Sequence, residues 1–327
     1  MRSQSQMRVV LFSLSVACLL ATPSLAQEWE FSDVTRIRID GVSGDLIVRP
    51  TDGNVVRVQL QAAVHPVDAF EPQVEQDGKT LSIDEEWSGR SSSGRVEWTI
   101  LLPRGDEMPR IRFSTASGDL DCADIAARLD IDTASGDITL ANVDLAASSD
   151  LSTASGDYSI EEMTIHEGTD LSTASGDIEL RDVTVEEGCD FSTASGNVEC
   201  INCTGSMDLS TASGDVIVRR SDIIGRSKFS SASGDVRLEL AKLPEEDLRA
   251  SSASGDVHLD VDDFGDRFTL VMIKRQDRGR IDCPFEFTSE TTFEDHHHTY
   301  EEKTVERGTG GPEIVLRTAS GRVVVKN

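Results

Sequence analysis

Eight glycines are each followed by an acidic or amide side chain. Asp119, Asp137, Asp157, Asp177, Asn197, Asp215, Asp235 and Asp256 follow Gly118, Gly136, Gly156, Gly176, Gly196, Gly214, Gly234 and Gly255. Oxygen ligands in rows suit calcium, a hard cation, so the seven aspartates are candidate calcium ligands. Short acidic and amide side chains at turns also accept hydrogen bonds from their own backbone. Asn197 fits that second role, because an amide makes the bond without charge. Stacked at a strand spacing of about 4.8 Å, neighbouring carboxylates repel by roughly 1 kcal/mol in water and more in a lower dielectric. Metal ions or hydrogen bonds must offset that. Two further columns are Asp130, Asp150, Asp170, Asp190 and Asp208, and the mixed set Asp124, Asn142, Glu162, Asp182 and Asn202. The doubled-glycine nonapeptide of calcium-binding β-rolls is absent.

His296, His297 and His298, beside Glu294 and Asp295, offer imidazole and carboxylate ligands for zinc, copper or nickel. They fall in a polar stretch, about 288–311, that reads as a looped insertion. Catalysis has little support. Glycosidase chemistry needs two carboxylates in unlike environments, whereas here a carboxylate recurs in nearly every repeat. His65, His166 and His258 take unrelated places in the alignment, and no Gly-x-Ser-x-Gly elbow or phosphate loop occurs. The expectation is a chain that is not an enzyme.

The elements that carry these residues follow from the repeat. The glycines step by 18, 20, 20, 20, 18, 20 and 21 residues, the signature of a solenoid. Apolar residues stand two and four places after each glycine (Ile178 and Leu180, for example) and five before it (Leu171), alternating with polar ones. That is strand periodicity. The predicted class is all-β, a β-solenoid of about 20 residues per rung. The glycine marks a corner that needs positive φ or close backbone approach. Thr115, Thr133, Thr153, Thr173, Thr193 and Thr211 have core parity and could form an internal hydroxyl ladder.

Residues 1–26 read as a secretory signal: Arg2 and Arg8, a short apolar run, and Ser24-Leu25-Ala26 before a mature start at Gln27. A lipoprotein site at Cys18 is a weaker alternative, and no later run predicts a transmembrane helix. Residues 27–110 read as irregular rungs or a β-rich cap, 111–262 as the regular repeats, and 263–327 as closing rungs. The net charge of −28 disfavours nucleic acid, whose phosphates need a basic face. Five cysteines remain after cleavage. Cys122 and Cys200 share a core column four rungs apart, too far for a disulfide. Cys189 with Cys203 is the one local pair entertained. Cys200-x-x-Cys203 reads as two interior positions of one rung, with redox or zinc chemistry as the alternative.

Thr-Ala-Ser-Gly-Asp with its alternating apolar followers resembles a bacterial family known as "putative adhesins". Val42-Ser43-Gly44-Asp45-Leu46 and Thr318-Ala319-Ser320-Gly321 match the same pattern, so the resemblance spans roughly residues 33–326. It implies a single-stranded, right-handed parallel β-helix at the cell envelope, exported to the periplasm, outer surface or medium, without catalytic residues. The serine rows (Ser114, Ser152, Ser172, Ser192, Ser210, Ser230 and Ser251) form a flat polar face suited to an envelope polysaccharide or a surface protein. The alternatives are a spacer stabilised by calcium, or a polysaccharide-modifying β-helix enzyme.

Overall fold

The alternation of apolar and polar residues becomes alternation of buried and exposed ones, strand after strand. Ile178–Arg181, Val198–Ile201 and Val216–Arg219 each bury their first and third side chains. The chain is all-β; among the described residues the single helical turn is Val67–Ala69. The computed structural model describes residues 24–88, 93–105 and 108–327. The predicted signal lies outside them except for its last three residues. Two compact units, Met1–Gly156 and Asp157–Asn327, are described in turn.

In the first unit, Gly44–Thr51, Leu120–Ala123 and Ile138–Ala141 pair in parallel. Ser93–Pro103 adds to Gly44–Thr51, and antiparallel Val56–His65 and Ser24–Phe31 follow. A second parallel sheet holds Arg36–Asp40, Arg110–Thr115, Ala126–Thr133 and Asp150–Thr153. Thr80–Trp87 and antiparallel Phe70–Asp77 extend it. Residues 27–110 thus combine parallel strands that continue the pattern with antiparallel ones that extend the two sheets. Trp98 is fully buried there, with Trp29 at 6.2 Å.

In the second unit three parallel sheets carry the repeat. Tyr158–Glu161, Ile178–Arg181, Val198–Ile201, Val216–Arg219, Val236–Leu240 and Val257–Val261 form one. Asp170–Thr173, Asp190–Thr193, Asp208–Thr211, Ser227–Ser231 and Leu248–Ser252 form another. Two-residue strands from Thr164–Ile165 to Asp222–Ile223 form the third. Equivalent residues are always in register, so the phenylalanines, leucines and valines stack into apolar columns.

The last repeats are out of sequence order. Val257–Val261 pairs with Val323–Lys326, which then pairs with Ile281–Asp282. Likewise Leu248–Ser252 pairs with Glu313–Thr318, which pairs with Phe268–Arg275. The stretch read as a polar loop is paired instead. Ser289–Asp295 and His298–Arg307 form an antiparallel hairpin, whose second strand continues the sheet beside Phe268–Arg275. Its polar composition hid it, since both faces of Ser289–Asp295 are largely solvated.

The repeat glycines from Gly118 to Gly255 are not at positive φ; close approach requires them. A Cβ on Gly196 would stand 1.9 Å from the Gly176 carbonyl oxygen, and one on Gly136 1.8 Å from that of Gly118. Positive φ belongs to the mixed column: Asp124, Asn142, Glu162, Asp182, Asn202 and Arg220, at 51° to 58°. Asp and Asn tolerate that left-handed corner best among residues with a Cβ.

The threonines are buried and form the expected ladder, with glycine backbone as the other half. The Thr193 hydroxyl donates to the Gly176 carbonyl (2.9 Å) and accepts from the Gly196 N–H (3.1 Å). Thr133, Thr153, Thr211, Ser231, Ser252 and Thr318 repeat this relay.

The cysteines correct one reading. Cys200 and Cys203 are both interior, as expected, but they are bonded to each other, with Cα atoms 6.1 Å apart. The corner at Asn202 turns both side chains into the same core. Cys189 is not the partner of Cys203; its thiol donates to the His166 carbonyl at 3.2 Å. Burial pushes the Cys122 thiol well above its usual range, which suits an inert core residue.

Gly196→Ala is expected to lower stability by about 1–3 kcal/mol, because the added methyl must displace backbone. Thr193→Val should cost a similar amount, roughly 1–3 kcal/mol, by stranding a buried N–H and a buried carbonyl. Urea denaturation of the two variants tests both; unchanged midpoints would refute the relay.

Candidate functional site

The aspartate column runs along one corner of each unit, where the chain leaves the glycine for the next strand. Its carboxylates bridge neighbouring repeats. The expected bond was to each aspartate's own turn; the observed one reaches the next repeat. In the first unit Asp45 Oδ1 accepts from the Asp119 N–H at 3.2 Å, and Asp119 Oδ1 from that of Asp137 at 2.9 Å. In the second, Asp157 accepts from Asp177 (2.8 Å), and Asp177 from Asn197 (2.6 Å). Asn197 then accepts from Asp215 (2.8 Å), Asp215 from Asp235 (2.7 Å) and Asp235 from Asp256 (2.7 Å). A carboxylate with a backbone donor aimed at it has its charge stabilised locally, and Asn197 serves as well as its acidic neighbours.

Arginines supply the remaining compensation, and the sequence reading missed them. Arg237 spans two carboxylates, with Nη1 2.7 Å from Asp215 Oδ2 and Nη2 2.5 Å from Asp235 Oδ2. Arg322 takes the aspartate's place in the final copy of the phrase. Its N–H donates to Asp256 Oδ1 (2.7 Å), and its guanidinium to Asp256 Oδ2 (2.9 and 2.6 Å). Arg95 lies 3.2 Å from Asp45 at the other end of the sequence. Arg322 was legible, since it replaces the aspartate in the last Thr-Ala-Ser-Gly phrase. Arg95 and Arg237 carried no such signal.

Among the described residues, one group of three potential metal ligands has its donor atoms all within 4.8 Å of one another: Asp235, Asp256 and His258. It includes two of the aspartates singled out from sequence, yet both already face guanidinium groups. His296 and His297 form the two-residue turn of the hairpin, at φ 45° and 65°, and His298 opens its second strand. All three are exposed, and they join no such group. His166 pairs with Glu186 at 3.1 Å on the surface.

A buried carboxylate, Glu85, was also missed. It accepts from the Trp98 indole (2.9 Å), the Trp87 indole (3.3 Å) and the N–H groups of Val42 (2.7 Å) and Ser43 (3.3 Å). It lies against Gly44, where no sequence periodicity marks it. The half-buried serines Ser172, Ser192, Ser210, Ser230 and Ser251 stand side by side on five paired strands of the second unit. Ser114 and Ser152 flank Asp132 in the first.

Two outcomes follow from this geometry. Asp177→Asn should leave the melting temperature nearly unchanged and Asp177→Ala should lower it, while millimolar calcium should stabilise no more than magnesium. A calcium-specific upward shift would make the column a metal ladder.

The second outcome concerns acid. Burial opposes charge on Asp256, but the Arg322 bonds hold its carboxyl below the usual range. The Arg317 bond does the same for Asp295, and the Lys274 bond for Glu301. A depressed folded pKa contributes stability above the unfolded value, about 4, and that stability is lost as pH falls through the lower folded one. Burial beside Asp190 raises Asp208, with the opposite sign. The net expectation is destabilisation below about pH 4, smaller in Arg322→Gln, read from melts across pH.

Residues 34–269 match the family model Toastrack DUF4097. Among solved structures, a putative adhesin from Bacteroides fragilis is 12% identical, covering 93% of this chain and 98% of that one, with a TM-score of 0.39. A putative lipid binding protein from Parabacteroides distasonis is 13% identical, with 93% and 97% covered and a TM-score of 0.44. A putative adhesin from the same organism is 12% identical at the same coverage, with a TM-score of 0.42. No curated protein matches the chain. The family match takes in well over half of the residues, and the chain belongs to the Toastrack DUF4097 family.

Proposed function

We propose that this chain is a non-catalytic, exported envelope module, a right-handed single-stranded β-helix of about 20 residues per rung that presents rigid repetitive faces to a glycan or a surface protein. Residues 1–26 act as its export signal, 27–110 and 263–327 as its end caps and 111–262 as its regular body. The observation that carries this reading is where the reactive groups go. The repeated aspartates and threonines are spent on backbone bonds between repeats. What remains outward is serine, lysine, arginine and acid on flat sheets, which suits contact with an extended polymer better than turnover of a small substrate.

Among the described residues no helix is long and apolar enough to cross a membrane. A panel of immobilised envelope polysaccharides and surface proteins tests the reading. Saturable binding that free ligand competes away, with the length of every polymer unchanged on sizing columns, is the expected result. Shortening of any polymer would replace the binder with an enzyme, and absence of saturable binding across the panel would leave only the spacer.

A further inference from the structure

The second unit carries a surface concavity of about 510 Å³ on the outer face of its serine-bearing sheet. Three cations line it, Lys228, Arg249 and Arg317, in a chain whose net charge is −28. Register places them. Lys228 stands beside Arg249, which stands beside Val315 and then Val271. One step inward, Ser230, Ser251, Arg317 and Ile273 form the next row. The concavity therefore has a cationic side, an apolar floor of Val271, Ile273 and Val315, and the serine row leading into it.

Lys228 and Arg249 are exposed neighbours one strand spacing apart, about 4.8 Å, and like charges so placed disfavour the fold. Arg219, Arg237 and Arg322 of the same unit sit against carboxylates. Arg249 makes no ion pair among the described residues, and Lys228 has the Asp208 carboxylate beside it. Arg317 is fixed in place by Asp295 (2.6 Å) and by the Tyr300 ring (4.7 Å). Glu302 and Glu313 complete the lining as acceptors. Cations for carboxylate, acceptors and serine hydroxyls for sugar hydroxyls, and an apolar floor for C–H faces together match an acidic saccharide. An acidic peptide offers the same carboxylates but one backbone N–H per residue in place of the several hydroxyls of each sugar unit, so it meets fewer of the acceptors and serines.

We propose that this concavity binds the uronate units of an acidic polysaccharide, which continues along the serine row. The proposal rests on the binding role above and names its ligand class and place. Calorimetry on the full chain tests it, with a short oligogalacturonate, a malto-oligosaccharide of equal length and polyglutamate as probes. Oligogalacturonate should bind in preference to the other two, and more weakly as salt rises. The double variant Lys228→Gln, Arg249→Gln, which adds no like-charge contact with Asp208, should lose roughly tenfold or more in affinity while staying folded. Arg249→Gln, which keeps the aliphatic stem, should show a smaller loss.

Undiminished oligogalacturonate binding by the double variant would overturn the site and leave the binding role standing. A preference for the neutral oligosaccharide would overturn the ligand class in the same way. Equal or tighter binding of polyglutamate would transfer the site to an acidic protein partner. No binding of any probe overturns this proposal, and the wider panel then decides whether the binding role falls with it.

Discussion

Within each unit, successive repeats meet at a backbone contact that leaves no room for a methyl group. The carbonyl of one glycine stands where the next glycine's Cβ would be, and a threonine or serine hydroxyl joins that carbonyl to the next N–H. The aspartate beside the glycine ties its carboxylate to the same corner of the following repeat. Thr-Ala-Ser-Gly-Asp is therefore a unit of backbone satisfaction. It pairs polar groups that would otherwise be buried without partners. The apolar columns supply burial, but this corner fixes the register that lets them stack.

The same corner explains how so acidic a chain tolerates a row of carboxylates. Backbone N–H groups meet the inner oxygens of Asp119, Asp157, Asp177, Asp215, Asp235 and Asp256, and guanidinium groups meet the outer oxygens of the last three. Charge is neutralised locally and repeatedly, so the excess of 28 negative charges is spread over the surface. Against that background Lys228 and Arg249, side by side on paired strands, stand out in the second unit.

Much of this was legible because the repeat is a physical ruler. Equivalent residues face equivalent surroundings, so the alignment of glycines gave the core columns, the hydroxyl ladder and the strands of 111–262. The readings that failed concern relations the ruler does not measure. The interior pair Cys200 and Cys203 proved bonded because a left-handed corner at Asn202 intervenes, and corners do not show in alternation. The hairpin of Ser289–Asp295 and His298–Arg307 has few apolar residues and no strict alternation, so its strands read as loop. Glu85 and Arg237 act through contacts distant in sequence or off the repeat. The cationic concavity is invisible for a related reason: Arg317 lies 68 residues past Arg249 in sequence and on the adjacent strand in space.

That inversion of order among the last strands bears on assembly. From Tyr158 to Val261 each strand can add to a template already made, as rows are added to knitting. The next strands to emerge, Phe268–Arg275 and Ile281–Asp282, have no place on that template. Both contact it through strands from 313–326, which arrive later. The hairpin can zip up by itself, but it must wait to dock. Stepwise growth therefore halts near residue 262, and the closing piece enters as a clasp, making the final event in this unit a long-range search and not one more local addition.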